Sequence, residues 1–326
     1  MLRKIIFALC VFALPLAAQA QASVNKNLKV ALILPGSVTD GTFNSAAAQG
    51  IKKAQKKYPG IHVSIRENTQ TAEAQDALSA YARDGYDIII AHGFQFADAA
   101  KRIHKRFPKT WFIVNTAKVS EAPNLASFDN RWGDAGYMAG AVAAMISKSG
   151  IIANVPAIPV PTIQEYDDGY HRGSKRINPS IKVLSAYVGS FSDIAKAKEI
   201  TTSMIDQGAD VVSGIGNENV VGTLQAAKEK KVLMIGTAFD SASLAPDTVV
   251  TTALINFDVN IDMAIGKVID GTIEPKNYLL GLKDNGIGLA PFRKFDSKFS
   301  DSQKATLREI ADGIKAGTVK DLPPIR

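Results

Sequence analysis

Cysteine is almost absent: the 326-residue chain has one, Cys10, inside an apolar N-terminal run. A single thiol excludes a disulfide scaffold and any zinc or iron–sulfur site built from several cysteines. Histidine is scarce as well. The four present, His62, His92, His104 and His171, include no pair at the i,i+4 spacing that sets two imidazoles on one helical face. The phosphate-cradling G-x-x-x-x-G-K-[ST] loop and the G-x-S-x-G nucleophile elbow are missing. Gly214-Ile215-Gly216 starts a dinucleotide fingerprint that residues 217–222 do not complete. Asp167-Asp168 lies on a predicted helix, where neighbours point to different faces and cannot flank one bond. No nucleophile, base and orienting group come together. The chain is therefore expected to be no enzyme and to need no cofactor and no metal.

Long apolar runs are lacking too. The one run, Ile5 to Leu16, is shorter than the ~20 residues of a membrane span. Arg3 and Lys4 precede it, and Ala18-Gln19-Ala20 and Ala20-Gln21-Ala22 follow as small-x-small patterns. Residues 1–22 are read as an export signal cleaved near Ala20 or Ala22. The mature protein is expected to be soluble, periplasmic and free of cysteine; Cys10 falls too early in the run to anchor a lipid. The formal charge of +7 drops to +5 without Arg3 and Lys4. The remaining basic clusters, such as Lys52-Lys53 and Lys56-Lys57, sit on polar faces of predicted helices without interleaved aromatics. Nucleic acid is not expected as a partner.

What the chain does contain is ordinary globular composition, 46% hydrophobic and 21% charged, arranged as repeated strand–helix units. Strands are predicted at 27–34, 61–65, 86–91 and 111–114. Helices are predicted at 43–58, 71–84 and 95–107. The pattern restarts with helices at 134–147, 162–176, 194–207 and 219–230 and strands at 151–155, 181–187, 209–213 and 232–236. Strand-like stretches at 124–129 and 249–255 stand where the chain crosses between lobes. After a helix at 260–269 come strand-like pieces near Tyr278 and Ile287 and a last helix at 302–316. The pattern implies two open α/β lobes, each a parallel sheet covered by helices on both faces, with a hinge and a cleft. The first lobe is placed at 27–128 plus about 250–280, the second at 129–249 plus about 281–326.

Ligands of open α/β sheets bind beyond the carboxyl ends of the strands. Those positions hold residues 35–44 after the first strand, His92-Gly93-Phe94-Gln95-Phe96 after the third and Asn115-Thr116 after the fourth. In the second lobe they hold residues 189–193, Gly214 to Asn217 and Thr237 to Asp240. Aromatic faces can sandwich a flat ligand, Asn and Asp can pair with a heteroaromatic edge, and glycine admits close backbone approach. The candidate ligand-binding residues are Asp40, Phe43, Asn44, His92, Phe94, Asn115, Phe191, Gly216, Thr237 and Phe239. Phe43 and Phe191 are expected to cover opposite faces of the ligand, with Phe239 in reserve.

Asp40-Gly41-Thr42-Phe43-Asn44 resembles the D-x-x-F-N signature of the basic membrane protein family, substrate-binding proteins of ABC transporters that include purine nucleoside receptors. Residues 86–94, Tyr137-Met138-Ala139-Gly140, Gly189 to Asp193 and Gln207 to Val212 match in order and spacing, from roughly Lys29 to Ala264. The resemblance implies a type I periplasmic-binding-protein fold, a purine-type ligand stacked between aromatic rings, and a permease in the inner membrane as partner. A monomer is expected. The chain departs from the nucleoside binders at Asn115, where they carry Asp. It departs again at Thr237-Ala238-Phe239 and Ile255-Asn256, where they carry the Asp and Lys that hold ribose. A free base is therefore expected over a nucleoside. The alternatives are a ligand-binding sensory subunit and a periplasmic nucleoside hydrolase.

Overall fold

The computed structural model describes residues 27–326; the export signal and its cleavage position lie outside the described residues. The first part of the chain runs β1 (Leu28–Ile33), α1 (Phe43–Lys57), β2 (Ile61–Arg66), α2 (Ala74–Arg83), β3 (Ile88–His92), α3 (Ala97–Ile103), β4 (Trp111–Asn115) and β5 (Leu125–Asn130). The second runs α4 (Trp132–Ile146), β6 (Ile151–Pro156), α5 (Pro161–Ile177), β7 (Lys182–Ser185), α6 (Ile194–Asp206), β8 (Val211–Ile215), α7 (Asn219–Lys230), β9 (Leu233–Ala238) and β10 (Val249–Ile255). Then come α8 (Phe257–Ile269), β11 (Asn277–Leu280), β12 (Ile287–Leu289) and α9 (Asp301–Ala316).

The strands form two six-stranded sheets, ordered β11-β5-β4-β3-β1-β2 and β12-β10-β9-β8-β6-β7. Among the described residues every pairing between these strands is parallel except β10 with β12. Period-two alternation builds a core on each face of the first sheet. In β1, Val30 and Leu32 pack with Ile51 of α1 and Ile261 of α8, while Ala31 and Ile33 pack with Leu78 of α2 and Ile103 of α3. In the second lobe α4 is buried along nearly its whole length. It lies so close to α5 that a Cβ at Gly140 would stand 2.0 Å from the carbonyl oxygen of Tyr170. Glycine in the Tyr137–Gly140 motif is thus required for backbone contact.

Two sequence expectations change. The stretch at 249–255 was expected with the first lobe, but β10 pairs with β9 and β12 in the second sheet. A strand that follows its neighbour through a short connection pairs beside it, so the crossing comes after β10, at Asn256. The helix expected over 95–107 is α-helical only at α3, with 3-10 turns at Phe94–Phe96 and His104–Arg106. The side chain of Asn124 donates to the carbonyls of His104, Phe107 and Thr110 and draws the helix end into a tight turn.

Among the described residues three crossings join the lobes: β5 to α4, β10 to α8 and β11 to β12. One buried amide pair ties them together. Asn130 Nδ2 donates to Asn260 Oδ1 at 3.1 Å and to the carbonyl of Gly286 at 2.7 Å, while Asn260 Nδ2 returns a bond to Asn130 Oδ1 at 2.8 Å.

Candidate functional site: an interlobe cleft

Loops beyond the carboxyl ends of strands from both sheets meet around a cavity of ≈ 390 Å³, within the roughly 300–1,000 Å³ of small-molecule sites. Phe43 and Phe94 line it from the first lobe and Phe191 from the second. The Phe94 and Phe191 rings approach each other across the cleft with centroids 6.3 Å apart and planes tilted by 46°. Phe94 is 38% exposed, which puts it at the rim. Phe43 is held differently. Its ring stacks on His92 at 3.9 Å and meets the edge of Phe257 at 5.2 Å, so one of its faces is occupied within the protein.

Asp40 builds the start of α1. Its carboxylate accepts the backbone N–H groups of Thr42, Asn44 and Ser45 and the Nδ2 of Asn44. Burial alone would raise its pKa; the hydrogen bonds from Thr42, Ser45 and Asn44 outweigh that and hold it below the ordinary value. Asp40 is therefore spent on the helix start, where negative charge also suits the dipole, and it does not line the cavity.

Behind Phe43 lies a chain of buried polar groups. Burial pushes the imidazole of His92 down to about 3, against weaker opposing effects of the Phe43 carbonyl and the Asp40 charge. The ring is neutral at ordinary pH. Its Nε2 faces the carbonyl of Phe43 at 3.2 Å, and a carbonyl only accepts, so Nε2 carries the proton. Nδ1 is left as an acceptor and takes the Nδ2 of Asn115 at 3.3 Å. This orients the amide, and Asn115 Oδ1 has no partner among the described residues. Asn44 is fixed the same way: its Nδ2 is given to Asp40, and its Oδ1 is also buried without a partner. Asn44, His92 and Asn115 lie one layer behind the cavity's lining.

Backbone forms part of the wall. A Cβ at Gly36 would meet Asn44 Nδ2 at 2.6 Å, and Gly216 has φ 153° with a would-be Cβ 2.1 Å from Asn219 Oδ1. Neither position admits another residue without displacement. Asn217 bridges the lobes by accepting the hydroxyl of Thr42.

Of the candidates from sequence, Phe43, Phe94, Phe191 and Gly216 line the cavity. Thr237 is turned inward, its hydroxyl donating to the carbonyl of Gly214 at 2.6 Å. Phe239 borders a separate, smaller cavity beside Asp240 and Asn256. Sequence reasoning missed Asn68, Trp132, Thr162 and Glu218, which also line the main cavity. The strand-end rule applied to every strand finds them: they follow β2, β5, β6 and β8. Glu218 is the one charged side chain among the described residues lining it, with no lysine or arginine beside it. No group of three or more metal-ligating side chains occurs among the described residues, and no helix among them is long and apolar enough to cross a membrane.

The model of the Bmp family, described as ABC transporter substrate-binding protein PnrA-like, matches residues 27–320. The chain belongs to this family. It is 28% identical over 259 residues to basic membrane protein A2 of Borrelia garinii, spanning 78% of this chain and 75% of that one. It is 26% identical over 298 residues to a purine-binding protein of Brucella abortus, spanning 91% and 83%. Among solved structures, an ABC transporter solute-binding protein from Aeropyrum pernix superposes with a TM-score of 0.81 at 23% identity, covering 90% and 92% of the two chains. The fold is that of the type I periplasmic binding proteins.

Proposed function

We propose that this Bmp-family substrate-binding protein captures a purine-type ligand between its lobes and presents it to an ABC permease. The observation that carries the reading is the interlobe cavity walled by Phe43 and Phe94 on one side and Phe191 on the other. Sandwiching a flat ring between two others needs about 7 Å, two contacts of roughly 3.5 Å. A small outward shift of Phe191 relative to Phe94, with a rotation that brings the two tilted rings toward parallel, provides it, and a hinged pair of lobes supplies such a movement. A relative that binds purine supports the class. The lack of a cation in the lining, which holds Glu218, argues against a phosphorylated ligand, since an uncompensated buried phosphate is costly.

Within that class a free base is favoured over its nucleoside. Thr237 is already paired with Gly214, and Asn256 Nδ2 with the carbonyl of Asn285 at 2.7 Å. Ribose hydroxyls buried there without partners cost about 1–3 kcal/mol each. The site residues proposed are Phe43, Phe94, Phe191 and the backbone at Gly216. Asp40, Asn44, His92 and Asn115 shape the wall behind them. Export to the periplasm and action as a monomer belong to the same proposal. Calorimetry with adenine, guanine, hypoxanthine, urate and the corresponding nucleosides tests it. Binding of a base with tighter affinity than its nucleoside is expected; binding of none of them overturns the purine reading.

A further inference from the structure

A second chamber of ≈ 220 Å³ adjoins the main cavity and shares Phe94, Thr116 and Thr162 with it as walls. Val160 and Pro161 make part of its wall apolar. Asp129, from the end of β5, lines it and is only 2% exposed. Its Oδ1 accepts the indole Nε1–H of Trp132 and the backbone N–H of Asn130, each at 2.8 Å. Its Oδ2 has no partner among the described residues, and neither has the hydroxyl of Thr116. Thr116 holds a left-handed backbone, φ 63°, at the junction of the two chambers. A native protein rarely leaves a carboxylate oxygen buried and unpaired without a use for it.

The neighbouring charges do not supply the missing partner. Lys118 and Arg326 also line the chamber, but the Lys118 ammonium is paired at 2.6 Å with Glu165, which is itself buried, and the Arg326 guanidinium is paired with Asp168. Burial pushes the Asp129 carboxyl up to about 7, with the bonds from Trp132 and Asn130 opposing. Nearby Glu165 raises it further and Lys118 lowers it. Above that pH Oδ2 is an acceptor that lacks a donor.

We propose that this chamber receives a short hydrogen-bond-donating arm, a hydroxyl or primary amine, of a ligand whose ring lies in the main cavity. Asp129 Oδ2 accepts from the arm, and the Thr116 hydroxyl makes the second contact. The inference rests on the reading that a flat ring occupies the cleft. It adds a specificity residue, Asp129, on the wall away from Phe239 and Asn256. A hydrogen bond to a charged acceptor in a buried site separates a ligand with the donor from one without it by about tenfold or more.

The test has two arms, both at pH 8. In the first, calorimetry compares adenine analogues bearing a 2-hydroxyethyl or 2-aminoethyl arm with the ethyl analogue, at N6 and at N9. At one of the two positions the donor-bearing arm is expected to bind at least about tenfold tighter than ethyl, and Asp129→Asn to shrink that ratio to within about twofold. The second arm needs no purine. In a Trp111→Phe background the emission of Trp132, whose indole bonds to the same carboxylate, is followed as ethylammonium or tetramethylammonium is added. A saturable change with ethylammonium, absent with tetramethylammonium and lost in Asp129→Asn, is expected. If no purine binds but the ethylammonium response depends on Asp129, the chamber stands and the purine reading falls. If adenine binds while donor arms gain nothing and ethylammonium is silent, the chamber proposal is overturned and the purine reading stands.

Discussion

Asn115 gives its side-chain N–H to Nδ1 of His92 at 3.3 Å. His92 in turn faces the carbonyl of Phe43 with Nε2 and stacks on the Phe43 ring. The aromatic wall of the cleft is therefore oriented from behind by a neutral imidazole whose one acceptor requires an amide, not a carboxylate, at position 115.

That relationship fixes the outcome of Asn115→Asp. The new carboxylate sets an acceptor against the bare Nδ1, and the variant is expected to lose about 1–3 kcal/mol at pH 8. A carboxylate beside the ring also raises the imidazole pKa from its value of about 3 in the parent. The variant then takes up a proton at higher pH than the parent does, and its deficit shrinks as pH falls. Urea midpoints at pH 8 and pH 5 check this; an equal deficit at both would falsify the assignment of Nδ1 as acceptor.

Phe191→Ala removes the second lobe's ring from the cleft. Base–aromatic stacking is worth about 1–3 kcal/mol per base, so adenine affinity is expected to fall roughly tenfold or more. Calorimetry on the folded variant measures it. Unchanged affinity would mean that Phe191 serves packing alone.

Gly216→Ala acts through geometry. The added methyl lands 2.1 Å from Asn219 Oδ1 and 2.7 Å from Ala157 Cβ. Asn219 Oδ1 holds the backbone N–H of Asn217 at 2.8 Å, and Asn217 accepts from Thr42 across the lobes. A stability loss of about 1–3 kcal/mol together with weakened adenine binding is expected. Thermal unfolding and titration on the same sample check both; intact binding would show that the Asn217 bridge is dispensable.

Asp129 makes stability depend on pH with an identifiable sign. Its carboxyl has a folded value of about 7 against an ordinary 3.8. Between those values the folded state holds more protons than the unfolded one, so this contribution is complete at low pH and is lost as pH rises through 7. Asp129→Asn removes the burden of a buried charge. It is expected to be nearly neutral near pH 4 and stabilising by on the order of 3 kcal/mol at pH 8. Denaturant midpoints across that range decide it, and a variant effect that does not grow with pH would refute the buried, unpaired carboxylate.

The sequence by itself determined the alternation of strands and helices, the two lobes and the family, because periodicity, helix starts and short motifs are local. Phe43, Phe94, Phe191 and Gly216 are legible for that reason as strand-end residues near the cleft, whereas Asp40 and Asn44, expected at the ligand, are joined to each other at the start of α1. Tertiary structure alone decided which of these face the cavity. Asn44, His92 and Asn115 stand one layer behind Phe43, and Thr237 turns to the carbonyl of Gly214, because sheet twist and the meeting of two lobes orient each strand end. The same holds for β10, whose place in the second sheet depends on a neighbour rather than on its own apolar residues. It holds most of all for Asp129. Its burial beside Trp132 arises only when β5, α4 and the start of α5 close around it, and burial is what turns an ordinary carboxylate into one lacking a partner.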